Sequence, residues 1–197
     1  MTILSLWLLW GVVVILALTV LALARQIGVL HERLAPVGAL LGTAGPGVGE
    51  PSPRLEVRAI AGNAVTVGGQ LQGGKALLML FVSATCPICK KLLPVARDFT
   101  RSERLEVLYV GDGDPIQQAG LISHFKIDAT RFVNGPDIGL AFRVDKLPYA
   151  VLLDEAGTIV AKGLVNSREH LESLIIAKET GFATLQSYLK AQPAAAP

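Results

Sequence analysis

Cysteine, histidine and clustered basic charge are all scarce in this chain. Only two cysteines occur in 197 residues, and both lie in one tetrapeptide, Cys86-Pro87-Ile88-Cys89. That excludes a framework of structural disulfides and leaves the pair for redox chemistry or metal. A structural zinc site needs two further ligands, and the three histidines are His31, His124 and His170, the first beside an apolar run. Attachment of c-type haem needs His directly after the second cysteine, where Lys90 stands. The formal net charge is +2, and no basic cluster is interleaved with aromatics, so nothing supports nucleic-acid binding. No internal repeat is apparent.

Charge is also absent from Ile3 to Ala24, a run diluted only by Ser5, Gly11 and Thr19. As a helix at ~1.5 Å per residue it would be about 33 Å long, enough for a ~30 Å hydrocarbon core. Trp7 and Trp10 sit near one end, as interfacial anchors do. A cleaved signal would need a basic start, a shorter apolar core and a small-x-small cleavage site. No Lys or Arg precedes this long run, so it reads as a membrane anchor. Arg25 and Arg33 follow it, and a literal positive-inside reading places the remainder in the cytoplasm. Ile27, Leu30 and Leu34 keep helical spacing among charged residues, an amphipathic extension. The expected organisation is a transmembrane helix and juxtamembrane extension over 1–35, a Gly/Pro-rich linker over 36–54, one α/β domain over 55–190 and a disordered tail over 191–197.

Within that domain, Leu55, Val57 and Ala59 alternate with polar neighbours, and Val65-Thr66-Val67 follows a Gly62-Asn63 turn, which predicts a hairpin. The apolar run Ala76–Val82 predicts a buried strand, and Pro87–Thr100 a helix opening at the cysteines. A strand over Leu105–Val110 and a helix over Pro115–Phe125 follow, the latter with proline in its first turn. Arg131–Val133 and Tyr149–Leu153 read as strands, Asp137–Phe142 as a short helix, and Thr158–Ala161 as a strand after the Asp154–Gly157 turn. The last helix begins near Asn166 or Ser167, with Asn166 and Glu169 at capping-box spacing. The sum is a mixed sheet with helices on both faces.

A Cys-x-x-Cys at a helix N-terminus after a buried strand is the arrangement of a redox-active dithiol, because unpaired N–H groups and the helix dipole favour a thiolate. With Leu147-Pro148-Tyr149 and the closing hairpin and helix, the pattern resembles the thioredoxin fold. That resemblance implies a cis proline at Pro148 opposite the dithiol, with the backbone of Leu147 exposed to an extended substrate. Cys86, nearer the helix end, is the expected nucleophile, and Cys89, one turn on, the resolving thiol. Thr85, Pro87 and Ile88 frame the dithiol as supporting residues. Lys90 and Lys91 either assist the thiolate or form a solvated face. Two departures stand out: Thr85 replaces a tryptophan common before the first cysteine, and Leu80 replaces a buried carboxylate six residues before it. A dedicated client fits these departures better than general reduction. Copper carriers of this fold use Cys-x-x-x-Cys with a downstream histidine, one residue longer than here, and peroxidases use a different cysteine context. No cofactor is expected beyond the Cys86–Cys89 couple itself.

The resemblance narrows further. Arg25–Arg33, Thr85–Cys89, Leu147–Gly157, Lys162–Leu174 and Gly181–Leu189 resemble the MauD family of methylamine utilisation proteins. It implies an accessory thiol–disulfide oxidoreductase or isomerase acting on the disulfide-rich small subunit of methylamine dehydrogenase. It also implies a single-pass anchor in a bacterial inner membrane, with the dithiol in the periplasm, against the Arg25/Arg33 signal. One two-electron couple requires a separate thiol redox partner unless isomerisation restores the reduced state. A tethered chaperone or metal carrier without redox turnover is the competing expectation.

Overall fold

The computed structural model describes residues 2–33, 45–71 and 74–180. The chain divides into two compact units, Met1–Ala39 and Leu40–Pro197. The first contains one helix, α1 (Thr2–Arg33). Its described large apolar side chains are exposed all round, from Trp7 at 75% to Val13 at 50%. The Thr19 hydroxyl is turned back onto the carbonyls of Ile15 and Leu16, at 2.9 and 2.8 Å. Among the described residues no helix is long and apolar enough to cross a membrane. The described side chains of α1 run unbroken only over 5–21, about 25 Å at ~1.5 Å per residue. The expected span over Ile3–Ala24 is therefore met as a helix but not as a described membrane crossing. The amphipathic reading of the side chains after Arg25, and the tail over 191–197, lie outside the described residues.

The second unit is built on a five-stranded sheet in the order β5-β4-β3-β6-β7. Its strands are β3 (Leu77–Val82), β4 (Glu106–Gly111), β5 (Phe132–Asn134), β6 (Tyr149–Leu153) and β7 (Ile159–Leu164). β3, β4 and β5 are parallel, β6 runs antiparallel to β3, and β7 runs antiparallel to β6. The expected hairpin is a separate pair, β1 (Leu55–Arg58) and β2 (Ala64–Val67). The helices are α2 (Pro87–Ser102), α3 (Pro115–Phe125), α4 (Pro136–Phe142) and α5 (Arg168–Thr180).

The central strand β3 is apolar throughout because both its faces are covered. Leu78, Leu80 and Val82 point to a core shared with Cys89, Leu92, Leu93, Ala96 and Phe99 of α2, Leu121 of α3 and Leu171 of α5. Leu77, Met79 and Phe81 enter a second core with Val67, Ile138, Phe142 and Val151. Each such burial contributes about 1.5–3 kcal/mol, so the two cores hold β3, and the loop after it, in a fixed position.

Two expectations need correction. Gly45–Arg54, read as linker, is docked on the edge strand β7: the Gly49 and Ser52 N–H groups donate to Ile159 and Gly157, and Ile159 N–H donates to Glu50. Lys162 Nζ adds a bond to the Pro46 carbonyl at 2.8 Å. This covers an edge that would otherwise expose unpaired backbone. The capping box at α5 also differs. Asn166 N–H donates to His170 Nδ1 at 3.4 Å, and the Glu169 carboxyl bonds Ser167, which holds it below the ordinary glutamate range.

Candidate functional site

The site forms where β3 ends. Ser83 turns the chain: its hydroxyl bonds Thr85 Oγ1 at 2.9 Å and accepts the Thr85 N–H at 3.2 Å. Its carbonyl accepts the Cys86 N–H at 3.2 Å. Cys86 then occupies the N-cap of α2 with extended backbone, φ −84° and ψ 114°, and Pro87 supplies the first turn. The Cys86 Sγ accepts the N–H of Cys89 at 3.3 Å, so sulfur takes the capping role usually held by oxygen.

The two thiols are unbonded and unequal. Cys86 is half-buried, whereas Cys89 is fully buried. Burial, reinforced by a hydrogen bond to Cys86 and by its charge, pushes the Cys89 thiol from its ordinary 9.0 to about 12. A backbone bond from Ser83 opposes this only in part. Leu80, at the position of the missing carboxylate, is fully buried in the same apolar cluster as Cys89. No acid there can take the Cys89 proton.

The other expected residues gather at the same end of the sheet. The Leu147–Pro148 peptide is cis. Pairing of β3 with β6 ends at Phe81–Tyr149, which puts Pro148 in line with Val82, just before the dithiol loop. Leu147 and Ile88 remain 40% and 46% exposed, apolar surface beside Pro148 and between the two cysteines in the chain. Thr85, Lys90 and Lys91 are exposed. Leu147 also lines a cleft of about 220 Å³ with Val82, Asp112, Leu140 and Asp145.

Sequence reasoning missed Ser83, whose hydroxyl and carbonyl shape the dithiol loop; a Ser-x-Thr before the cysteine was the available signal. It also missed a groove of about 640 Å³ beside Thr85, walled by α3. Another cavity, about 580 Å³, lies under the hairpin against Lys75 and Glu106. Glu106 pairs with Leu77 at the opposite end of β3, so that cavity is remote from the sulfurs. Among the described residues no cluster of three or more His, Cys, Asp or Glu could hold a metal ion.

The chain is 43% identical over 93% of its length to the methylamine utilization protein MauD of Methylobacillus flagellatus, covering 89% of that protein. The corresponding figures for MauD of Paracoccus denitrificans are 41%, 92% and 91%. The chain belongs to the MauD family. No family model matches it. Among solved structures, the thioredoxin domain of a thiol-disulfide oxidoreductase from Bacteroides vulgatus superposes with a TM-score of 0.52 at 21% identity, over 66% of this chain and 99% of that one. This MauD chain thus has a thioredoxin-like α/β fold, a mixed sheet flanked by helices, with its only two cysteines at the end of the central strand.

Proposed function

We propose that this MauD-family chain is a membrane-anchored thiol–disulfide oxidoreductase, working chiefly as an isomerase, that corrects bridges in the small subunit of methylamine dehydrogenase. One observation carries the reading: Cys86 is reachable and capped by an N–H donor, while Cys89 beneath it is buried and held as a thiol. Cys86, as thiolate, attacks a client disulfide, forms a mixed disulfide and expels the other client sulfur as a thiolate. Direct resolution then needs Cys89 to lose its proton and attack the Cys86 sulfur, leaving a Cys86–Cys89 disulfide and a client reduced by two electrons. With Cys89 protonated, that step is slow. A second client thiolate attacks its own sulfur in the mixed disulfide instead, which re-forms a client bridge and returns Cys86 as thiolate with no net electron transfer.

The family name supports the methylamine link, and the small subunit is named because the resemblance implies that it is the part of the dehydrogenase with bridges to correct. The anchor reading is supported by the uncharged run Ile3–Ala24, by the outward-facing apolar side chains of α1 and by the internal bonding of Thr19, features of a helix meant for an apolar surrounding. A disulfide client places the domain in an oxidising compartment, the periplasm. An alkaline phosphatase fusion after α5 tests this: strong activity supports it, and activity of a cytoplasmic reporter alone refutes it.

The redox reading is tested by the double variant Cys86→Ser, Cys89→Ser in a methylamine-grown host. Failure to accumulate correctly bridged small subunit is expected. Normal maturation would overturn the thiol mechanism and leave binding alone, as in a chaperone or carrier. The thiol state in the wild-type cell decides the direction: a reduced pair supports isomerisation, and an oxidised pair supports disulfide donation.

A further inference from the structure

The groove beside Thr85 has no part in the thiol chemistry above. It is floored by Gly120, Leu121 and Phe125 and rimmed by Lys90, Gln117 and His124, with Ala84 and Thr85 closing the end next to the dithiol. Gln117, Gly120, Leu121 and His124 follow the i, i+3, i+4, i+7 spacing of one helix face, so a whole side of α3 is turned to it. A Cβ on Gly120 would meet nothing within 4 Å, which marks the floor as open space. The groove's only ionisable lining residues are Lys90 and His124, and neither forms an ion pair with any described carboxylate. Thr85 directly precedes Cys86, and the Lys90 N–H bonds the Cys86 carbonyl at 3.2 Å. The groove is thus lined by Ala84, Thr85 and Lys90, which flank the dithiol in the chain.

We infer that this groove docks an extended, acidic segment of the client that flanks the cysteine under attack, so that α3 selects which client disulfide reaches Cys86. The inference rests on the oxidoreductase reading and adds the client's chemistry to it. The apolar floor takes alternate side chains of the segment, and Lys90 and His124 meet its carboxylates across the rim. The opposite cleft, with Asp112, Asp145 and Leu147, carries the other sign of charge, so an acidic segment is directed to the α3 side.

The test uses the reduced full-length chain in detergent and two fluorescence-quenched peptides. Each holds one disulfide, with either glutamates or lysines flanking it. Neutral 4,4′-dithiodipyridine reports intrinsic thiol reactivity. The wild type is expected to react about fivefold faster with the glutamate peptide, the scale of one or two partly exposed charge contacts. Lys90→Glu should abolish or invert that preference. Gly120→Phe, whose Cβ meets no neighbour within 4 Å, puts a bulky ring on the floor and should lower the ratio of glutamate-peptide rate to dithiodipyridine rate at least fivefold. Equal wild-type rates with the two peptides, or an unchanged ratio in Gly120→Phe, would overturn the docking assignment while leaving the thiol mechanism standing. A wild-type chain inert to dithiodipyridine would overturn both.

Discussion

Consider the chain with Cys86 bonded to a small neutral thiol, so that only Cys89 can release it. The hydrogen bond to Cys86 and its charge no longer act on Cys89 in that adduct, but burial, the largest of the three causes, remains. Taking the Cys89 value of about 12 in the free dithiol against the ordinary 9.0 as the ceiling, its thiolate fraction near neutral pH in the adduct lies at most about a thousandfold below that of an ordinary thiol. A more basic thiolate is also a better nucleophile, with a Brønsted coefficient of about 0.4–0.5, which restores a factor of roughly 20–30. The net expectation is release slowed by up to about 30–60-fold relative to an unperturbed neighbour. Because only the thiolate attacks, the rate should rise tenfold per pH unit from pH 6 to beyond pH 10. Stopped-flow release of a chromophoric thiol at a series of pH values measures this directly. A plateau at pH 8–9 would refute the reasoning, since it would mean that Cys89 titrates as an ordinary thiol in the adduct. The sign for stability is consistent: the folded-state value lies above the unfolded one, so Cys89 favours the reduced fold below about pH 9 and loses that contribution as pH rises through about 12.

Leu80→Asp places a carboxyl in the apolar cluster that contains Cys89. It should cost about 4 kcal/mol in a denaturant titration and speed release from the Cys86 adduct, flattening its pH slope; unchanged release would show that a base at 80 cannot serve Cys89. Gly157→Ala should destabilise the fold by about 2 kcal/mol or more, because φ is +81° and a Cβ would collide with the Gly69 carbonyl oxygen; a thermal midpoint equal to wild type would refute that packing. Asp114→Ala removes the side-chain cap that accepts the Gln117 N–H at 3.0 Å. It should cost about 1 kcal/mol, again read by denaturant titration.

Much of the second unit was legible because its signals are local. Proline opens α2, α3 and α4, and the short apolar run 76–82, ahead of the helix that opens at the cysteines, reads as a buried strand. Cys86, Cys89 and Pro148 were legible through the spacing of the dithiol and the resemblance that it carried. What escaped notice was made by partners distant in sequence. The segment after Gly45 looked like linker because glycine and proline dominate it, yet it is held by backbone pairing to Ile159 and Gly157, which leaves little trace in residue type. Likewise the α3 groove joins residues 84–90 to 117–125. Only the packing of Leu121 and Leu93 into one core brings those faces together.

The central claim is that Cys86 takes the client, and that Cys89 is this chain's own means of releasing a client that supplies no second thiolate. Cells carrying the Cys89→Ser variant, quenched with acid and analysed without reductant, should hold a covalent adduct between Cys86 and the methylamine dehydrogenase small subunit, released by dithiothreitol and absent from the double-serine variant. An adduct that forms through Cys89 in a Cys86→Ser variant instead, or no reducible adduct in either, would contradict the account.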